Sequence, residues 1–346
     1  MVPWRTRRRA TGIGSIRVMA EGRMYIRKLV NVFQSLLILG SMAAIFAVIG
    51  LLVAGKLGLL VAVLVGSMIF LMSPRLSPAM VLRTYGAKRI MAEEAPGLYR
   101  VLGEIAGRAG LPALPELYYV PSSVMNAFTV GRKDRAAIVL TDGILRSMDR
   151  EEMAGILAHE VSHIEHNDLW IMGLADAISR FTNIFSTVGF MLLALYFPII
   201  LFGAAEIPLW AVLVIFLAPY LTVLLQLALS RIREYDADLN AVRLTGDPRG
   251  LAGALQKLEL YPMRLRDLIF MPGRRVPGPS VLRTHPHTRK RITKLLELAD
   301  TVPEWGVRAN HDNIVNHPLQ GSEQFIPDHY TRITRKPRWR IGGTWH

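Results

Sequence analysis

Met153-Ala154-Gly155-Ile156-Leu157-Ala158-His159-Glu160-Val161-Ser162-His163 is the stretch that decides how this chain folds around its chemistry. Asp149 and Glu152 stand just before it with the three-residue spacing of a capping box, and good helix formers follow, so a helix is expected to run into the histidines. On that helix His159 and His163, four residues apart, share one face. The pattern H-E-x-x-H lets both imidazoles reach one Zn²⁺ at about 2.0–2.1 Å, with Glu160 projecting beside them toward an attacking water.

A catalytic zinc needs a third protein ligand and an open position. With no cysteine in the chain, that ligand must be His, Asp or Glu. His166 is nearest, but it lies three residues past His163, and the spacing that continues with Gly and a further His is absent: His166 and Leu169 occupy those positions. Glu234 is the better candidate. It lies in Arg233-Glu234-Tyr235-Asp236-Ala237-Asp238, where Glu234 and Asp238 again share a helix face. Glu234 would bind the metal and Asp238 would accept the second N–H of a zinc histidine, fixing its tautomer. Asp236 falls off that face and is expected to be solvated.

Outward from these motifs the chain is apolar. Four stretches run without charge for about the 17–25 residues a bilayer crossing needs: Leu29–Gly55, Leu57–Pro74, Phe181–Ala205 and Ile207–Ser230. Only Lys56 and Glu206 separate the members of each pair, so two tight membrane hairpins are expected. Arg5, Arg7, Arg8, Arg9, Arg17, Arg23, Arg27 and Lys28 precede the first run, and Arg75, Arg83, Lys88 and Arg89 follow the second. The positive-inside rule then places both termini and the middle segment in the cytoplasm of a cell whose inner (plasma) membrane holds the hairpins. A cleaved signal peptide fits poorly, because the basic lead is long and a second apolar run follows at once.

The expected organisation is a basic arm (1–28), a first hairpin (29–76), a first catalytic segment (77–180), a second hairpin (181–230), a second catalytic segment (231–300) and a tail (301–346). Within the catalytic segments, Pro96–Arg108 reads as a helix stopped at Gly110-Leu111-Pro112, and 116–120, 124–130 and 136–141 read as strands. The fold class is therefore mainly α with a small antiparallel β-sheet (α+β), an integral membrane protein with four transmembrane helices. The composition agrees: 51% hydrophobic residues at a mean hydropathy of +0.29 are high for a soluble enzyme. A net charge of +14 calls for an acidic partner, and its clustering beside apolar runs favours the lipid bilayer over nucleic acid.

The segments HEVSH and EYDAD, with Asn126-Ala127-Phe128 and Thr284-His285-Pro286, resemble the HtpX branch of the HtpX/Ste24 membrane zinc metallopeptidases, within the gluzincin group, over Leu29 to about Leu298. The resemblance implies a cytoplasmic gluzincin-like protease domain with one catalytic zinc. It also implies that Asn126 and Ala127 on an edge strand bind the substrate backbone and that His285 donates to the oxyanion. Polypeptide substrates, membrane proteins in quality control above all, are what it implies as partners. The residues leave three other readings open: a non-catalytic scaffold with a vestigial metal site, a processing protease with one dedicated substrate, and a basic membrane-anchored nucleic-acid binder.

Overall fold

The computed structural model describes residues 8–72, 78–202, 208–260 and 288–301, and of residues 8–28 the backbone alone. The chain divides into two compact bodies. One comprises the described residues of Met1–Leu76 and Asp168–Ala237, the other those of Ser77–Asn167, Asp238–Val276 and His287–His346.

The first body is helical. α1 (Arg8–Met72) is two helices joined at a break, with Ala54 at φ −139°, ψ 26° and Gly55 at φ 58°, ψ −143°. Residues eight apart in an unbroken helix are separated by about 12 Å, yet a Cβ added to Gly58 would meet the Gly50 carbonyl oxygen at 1.9 Å. The chain therefore doubles back at Ala54–Gly55, and the missing side chains at 50 and 58 let the two arms touch. α6 (Asp168–Leu201) packs on α1. Phe46 lies edge-on to Phe185 at 5.1 Å and tilted to Phe181 at 6.4 Å, above a core of Met42, Ala62, Met172 and Ala175. α7 (Leu209–Thr245) completes the set with its residues up to Ala237, and its remainder belongs to the second body.

Among the described residues three stretches are long and apolar enough to cross a membrane: Leu29–Met68, Asp168–Ile199 and Leu209–Thr245. The first of them contains the reversal, so it carries the first expected apolar run and most of the second. Leu36, Leu195, Leu209 and Leu224 point outward into open space, an arrangement that lipid rather than water accommodates.

The second body is α+β. Its elements are α2 (Pro78–Thr84), β1 (Lys88–Ile90), α3 (Pro96–Arg108), β2 (Glu116–Val120), β3 (Ala127–Arg132), β4 (Arg135–Thr141), α4 (Asp142–Ser147), α5 (Arg150–His166), α8 (Pro248–Leu260) and α9 (Thr288–Thr301). The sheet is mixed, in the order β1-β2-β4-β3, which corrects the expected antiparallel sheet. β1 pairs β2, and β3 pairs β4, antiparallel; β2 and β4 run parallel, from Glu116 opposite Ala137 to Val120 opposite Thr141. The physical reason lies in β4. Ala136–Thr141 is buried at every position, as a strand covered on both faces must be, so it takes the interior place and sends β3 to the edge. Leu102, Ile105, Leu117, Ile138, Leu140 and Leu157 pack α3, the sheet and α5 into one core.

α5 is built as the spacing of Asp149 and Glu152 predicts. The Asp149 side chain accepts from the Glu152 N–H at 2.9 Å and Glu152 Oε2 accepts from the Asp149 N–H at 3.0 Å. At the other end Asn167 adopts the left-handed conformation, φ 55°, which its short polar side chain tolerates and which stops the helix before α6. α8 crosses α5 at Gly155, where a Cβ would meet the Leu251 backbone at 2.9 Å.

Candidate metal centre

α5 buries nearly its whole circumference from Met153 to Ser162, and that places two ionisable side chains, His159 and Glu160, inside the protein at 5% exposure each. Burying such groups is costly unless each finds a partner. The partners come from α7, β3 and α9. His159 Nδ1 lies 3.1 Å from Asp238 Oδ1. Arg291, on α9, is 1% exposed and grips the same carboxylate with two bonds, Nε to Oδ2 and Nη2 to Oδ1, both at 2.6 Å. Burial pushes the Asp238 carboxyl up, but the Arg291 guanidinium and the His159 imidazole outweigh it and hold the group below the ordinary carboxylate value. Asp238 therefore stays charged, which favours the His159 tautomer with its proton on Nδ1 and a lone pair on Nε2.

That lone pair faces His163, whose Nε2 is 3.1 Å from His159 Nε2. The two rings stand nearly perpendicular, at 87°. Glu234 sits one helical turn before Asp238 on α7, and one ligand atom each from His159, His163 and Glu234 lie within 4.8 Å of one another. Two imidazoles and a carboxylate form the donor set that zinc takes in a three-ligand catalytic site. Nitrogens bound tetrahedrally at about 2.0–2.1 Å are roughly 3.3 Å apart, close to the ring-nitrogen separation here. The residues present fit the ion.

Glu160 is held from the sheet. Thr129 Oγ1 on β3 donates to Glu160 Oε2 at 2.7 Å, inside a buried contact. Of the residues expected to contact substrate, Ala127 is on the same strand and Asn126 immediately precedes it. The Asn126 N–H donates to Thr141 Oγ1 at 2.9 Å and the Asn126 carbonyl accepts from the Thr141 N–H at 3.1 Å, so its backbone is committed to β4. Ala127 opens β3 in register with Leu140. His285 lies outside the described residues.

One polar neighbour differs from expectation. Asp236 is half-buried rather than solvated: it accepts from Arg233 Nη1 at 3.3 Å and from the Asn31 amide, because the α7 face opposite Asp238 packs inside the first body. Arg233 is buried and pairs with Asp168 at the start of α6. His166, as expected, is not a member of the ligand cluster; it donates through Nδ1 to the Ser162 carbonyl at 2.9 Å.

Arg291 and Thr129 are the side chains in contact with candidate site residues that sequence reasoning missed. Arg291 stands in the run Arg289-Lys290-Arg291, which reads as a solvated basic face. A signal was present: Arg291 lies four residues before the buried Leu295, on the inward stripe of α9. Thr129 offered a weaker one, a hydroxyl in an otherwise apolar strand.

Residues 92–299 match the family model described as peptidase family M48. The protein of Ralstonia pickettii (strain 12J) described as a Protease HtpX homolog is 32% identical over 294 residues, 78% of this chain and 98% of its own length. Its counterpart from Burkholderia thailandensis is 33% identical over 293 residues, with the same shares of 78% and 98%. Among solved structures, S. mikatae Ste24p is similar with a TM-score of 0.40 and 21% identity, covering 79% of this chain and 66% of that one.

Proposed function

The chain belongs to peptidase family M48 and is a membrane metalloprotease, and on that premise we propose that it is a zinc-dependent endopeptidase that cleaves cytoplasmic segments of misfolded or unassembled membrane proteins. The observation that carries the site is the convergence of His159, His163 and Glu234 within 4.8 Å. These three would hold the zinc, and Asp238 would fix the His159 ring. Zinc, when bound, supplies a Lewis acid that polarises the scissile carbonyl and makes water acidic enough to deprotonate near neutral pH.

The rest of the reaction falls to the chain's own groups. Glu160 takes the proton from the attacking water and delivers it to the leaving amine. His285 donates to the oxyanion. Ala127 aligns the substrate backbone along the free edge of β3 and Asn126, just before it, binds that backbone through its side-chain amide, an arrangement that reads main chain rather than side-chain identity and so suits unfolded segments.

The membrane setting follows from one helix. On α7 the uncharged apolar run ends at Ser230, and Glu234 stands four residues further on, about 6 Å along the axis. A ligand so close to the end of a bilayer-length run supports substrates delivered at the membrane surface. With the reversal at Ala54–Gly55 counted, the apolar stretches support four crossings in two hairpins. The basic residues around them support an inner-membrane protein with its termini and active site in the cytoplasm. Residues 77–180 and 231–300 would then be the two halves of the protease domain, flanked by the arm 1–28 and the tail 301–346.

The test pairs two variants of the full-length protein in detergent. Glu234→Ala is expected to lose most of the near-stoichiometric zinc of the wild type. Glu160→Gln is expected to keep the zinc and lose cleavage of casein. Full zinc in the first variant, or wild-type cleavage by the second, would refute the assignment.

A further inference from the structure

In an antiparallel pair, alternate residues of an edge strand turn their backbone N–H and C=O toward the neighbour and the others turn theirs to the open side. The Asn126–Thr141 backbone bond sets the phase here. With Phe128 opposite Val139 and Val130 opposite Ala137, residues 126, 128 and 130 bond β4. Ala127, Thr129 and Gly131 therefore present their backbone groups to the free edge, where no strand lies among the described residues.

Thr129 is the member of that trio with a functional side chain. Side chains on a strand stand perpendicular to the plane of its hydrogen bonds, and that of Thr129 descends onto α5. Its hydroxyl has a single proton and two acceptors in reach, Glu160 Oε2 at 2.7 Å and the Glu160 carbonyl at 3.4 Å. The shorter contact has the length of a charge-assisted bond. Glu160 Oε1 has no bond to any described residue, so the hydroxyl ties down one carboxylate oxygen and leaves the other to meet water. Thr129 is 5% exposed, and nothing else among the described residues bonds the Glu160 side chain.

We propose that Thr129 is a positioning residue that links substrate seating to proton transfer: its backbone pairs with the incoming peptide while its hydroxyl aims the Glu160 carboxylate. A peptide bound one residue out of register moves the backbone of Thr129 and with it the general base, so only a correctly seated strand meets a correctly aimed carboxylate. This inference rests on the reading of Glu160 given above.

Four variants of the full chain test it, with casein cleavage, zinc content and thermal unfolding measured on each. Thr129→Val keeps the shape and deletes the hydroxyl. It is expected to lower kcat about tenfold or more, the worth of one hydrogen bond to a charged group, with KM and zinc content near wild type. Thr129→Ser restores the hydroxyl and should recover most of kcat. If Thr129→Val fails to fold, Thr129→Ala against Thr129→Ser makes the same comparison with less polar disruption. Wild-type kcat in the variants lacking the hydroxyl overturns the proposal. So does a Thr129→Ser variant as slow as they are, because the role would then be one of packing. Glu160→Gln separates the two levels: wild-type cleavage by that variant removes the reading of Glu160 itself, whereas an inactive Glu160→Gln beside a fully active Thr129→Val removes only the role of Thr129.

Discussion

Replacing Arg291 by Met should loosen the metal site from a distance, and the size of the effect follows from its contacts. Arg291 is 1% exposed and makes two 2.6 Å bonds to Asp238, itself 3% exposed. Methionine fills similar volume but donates nothing, so the carboxylate stays buried with His159 as its remaining partner in the cluster. Removing one member of a buried ion pair costs about 3–5 kcal/mol, chiefly through the charge left behind. At roughly 2–4 °C per kcal/mol for a body of this size, the melting temperature should fall on the order of ten degrees. A released Asp238 also orients His159 less well, and loss of such a partner weakens metal binding about 10–100-fold. Thermal unfolding in detergent reads the first effect and zinc competition against a chelator the second. Asp238→Asn in the same background completes a double-mutant cycle. The double variant should be less damaged than the two singles added together, by about 0.5–3 kcal/mol. An Arg291→Met protein that melts with the wild type and holds its zinc as tightly would refute the coupling.

Gly155→Ala should destabilise despite alanine's better helix propensity, since its Cβ would come within 2.9 Å of the Leu251 backbone. Overpacking of about 1–3 kcal/mol outweighs a propensity gain of about 1 kcal/mol, and a rise in melting temperature would contradict the tight α5–α8 crossing. Asp149→Ala removes the α5 cap and should cost about 1 kcal/mol, visible as a small loss in melting temperature with zinc content unchanged. Gly58→Val should sharply reduce the yield of folded protein from membranes, because its Cβ would meet the Gly50 carbonyl oxygen at 1.9 Å. Gly66→Val, where nothing lies within 4 Å, is the matched control that should not.

What the sequence made legible and what it hid separate along one physical line. The α5 cap, the i, i+4 histidines, α3 over Pro96–Arg108 and β2 over Glu116–Val120 were readable because each depends on residues within a turn or two. The parallel pairing of β2 with β4 was not, since strand order is decided by which strand is buried on both faces. α7 shows the same division within a single helix. Its apolar run and the shared face of Glu234 and Asp238 are local patterns. The groups its polar side chains meet are not: Asn31 for Asp236, Arg291 for Asp238, and Ser162 and Glu165 for Asn240 come from positions 53 to 205 residues away. A buried charge is tolerated only when such a partner is in place, and the partner is chosen by tertiary packing. Asp236 was misread for that reason: helical phase places a side chain on a face correctly, but only the neighbouring helix decides whether that face meets water.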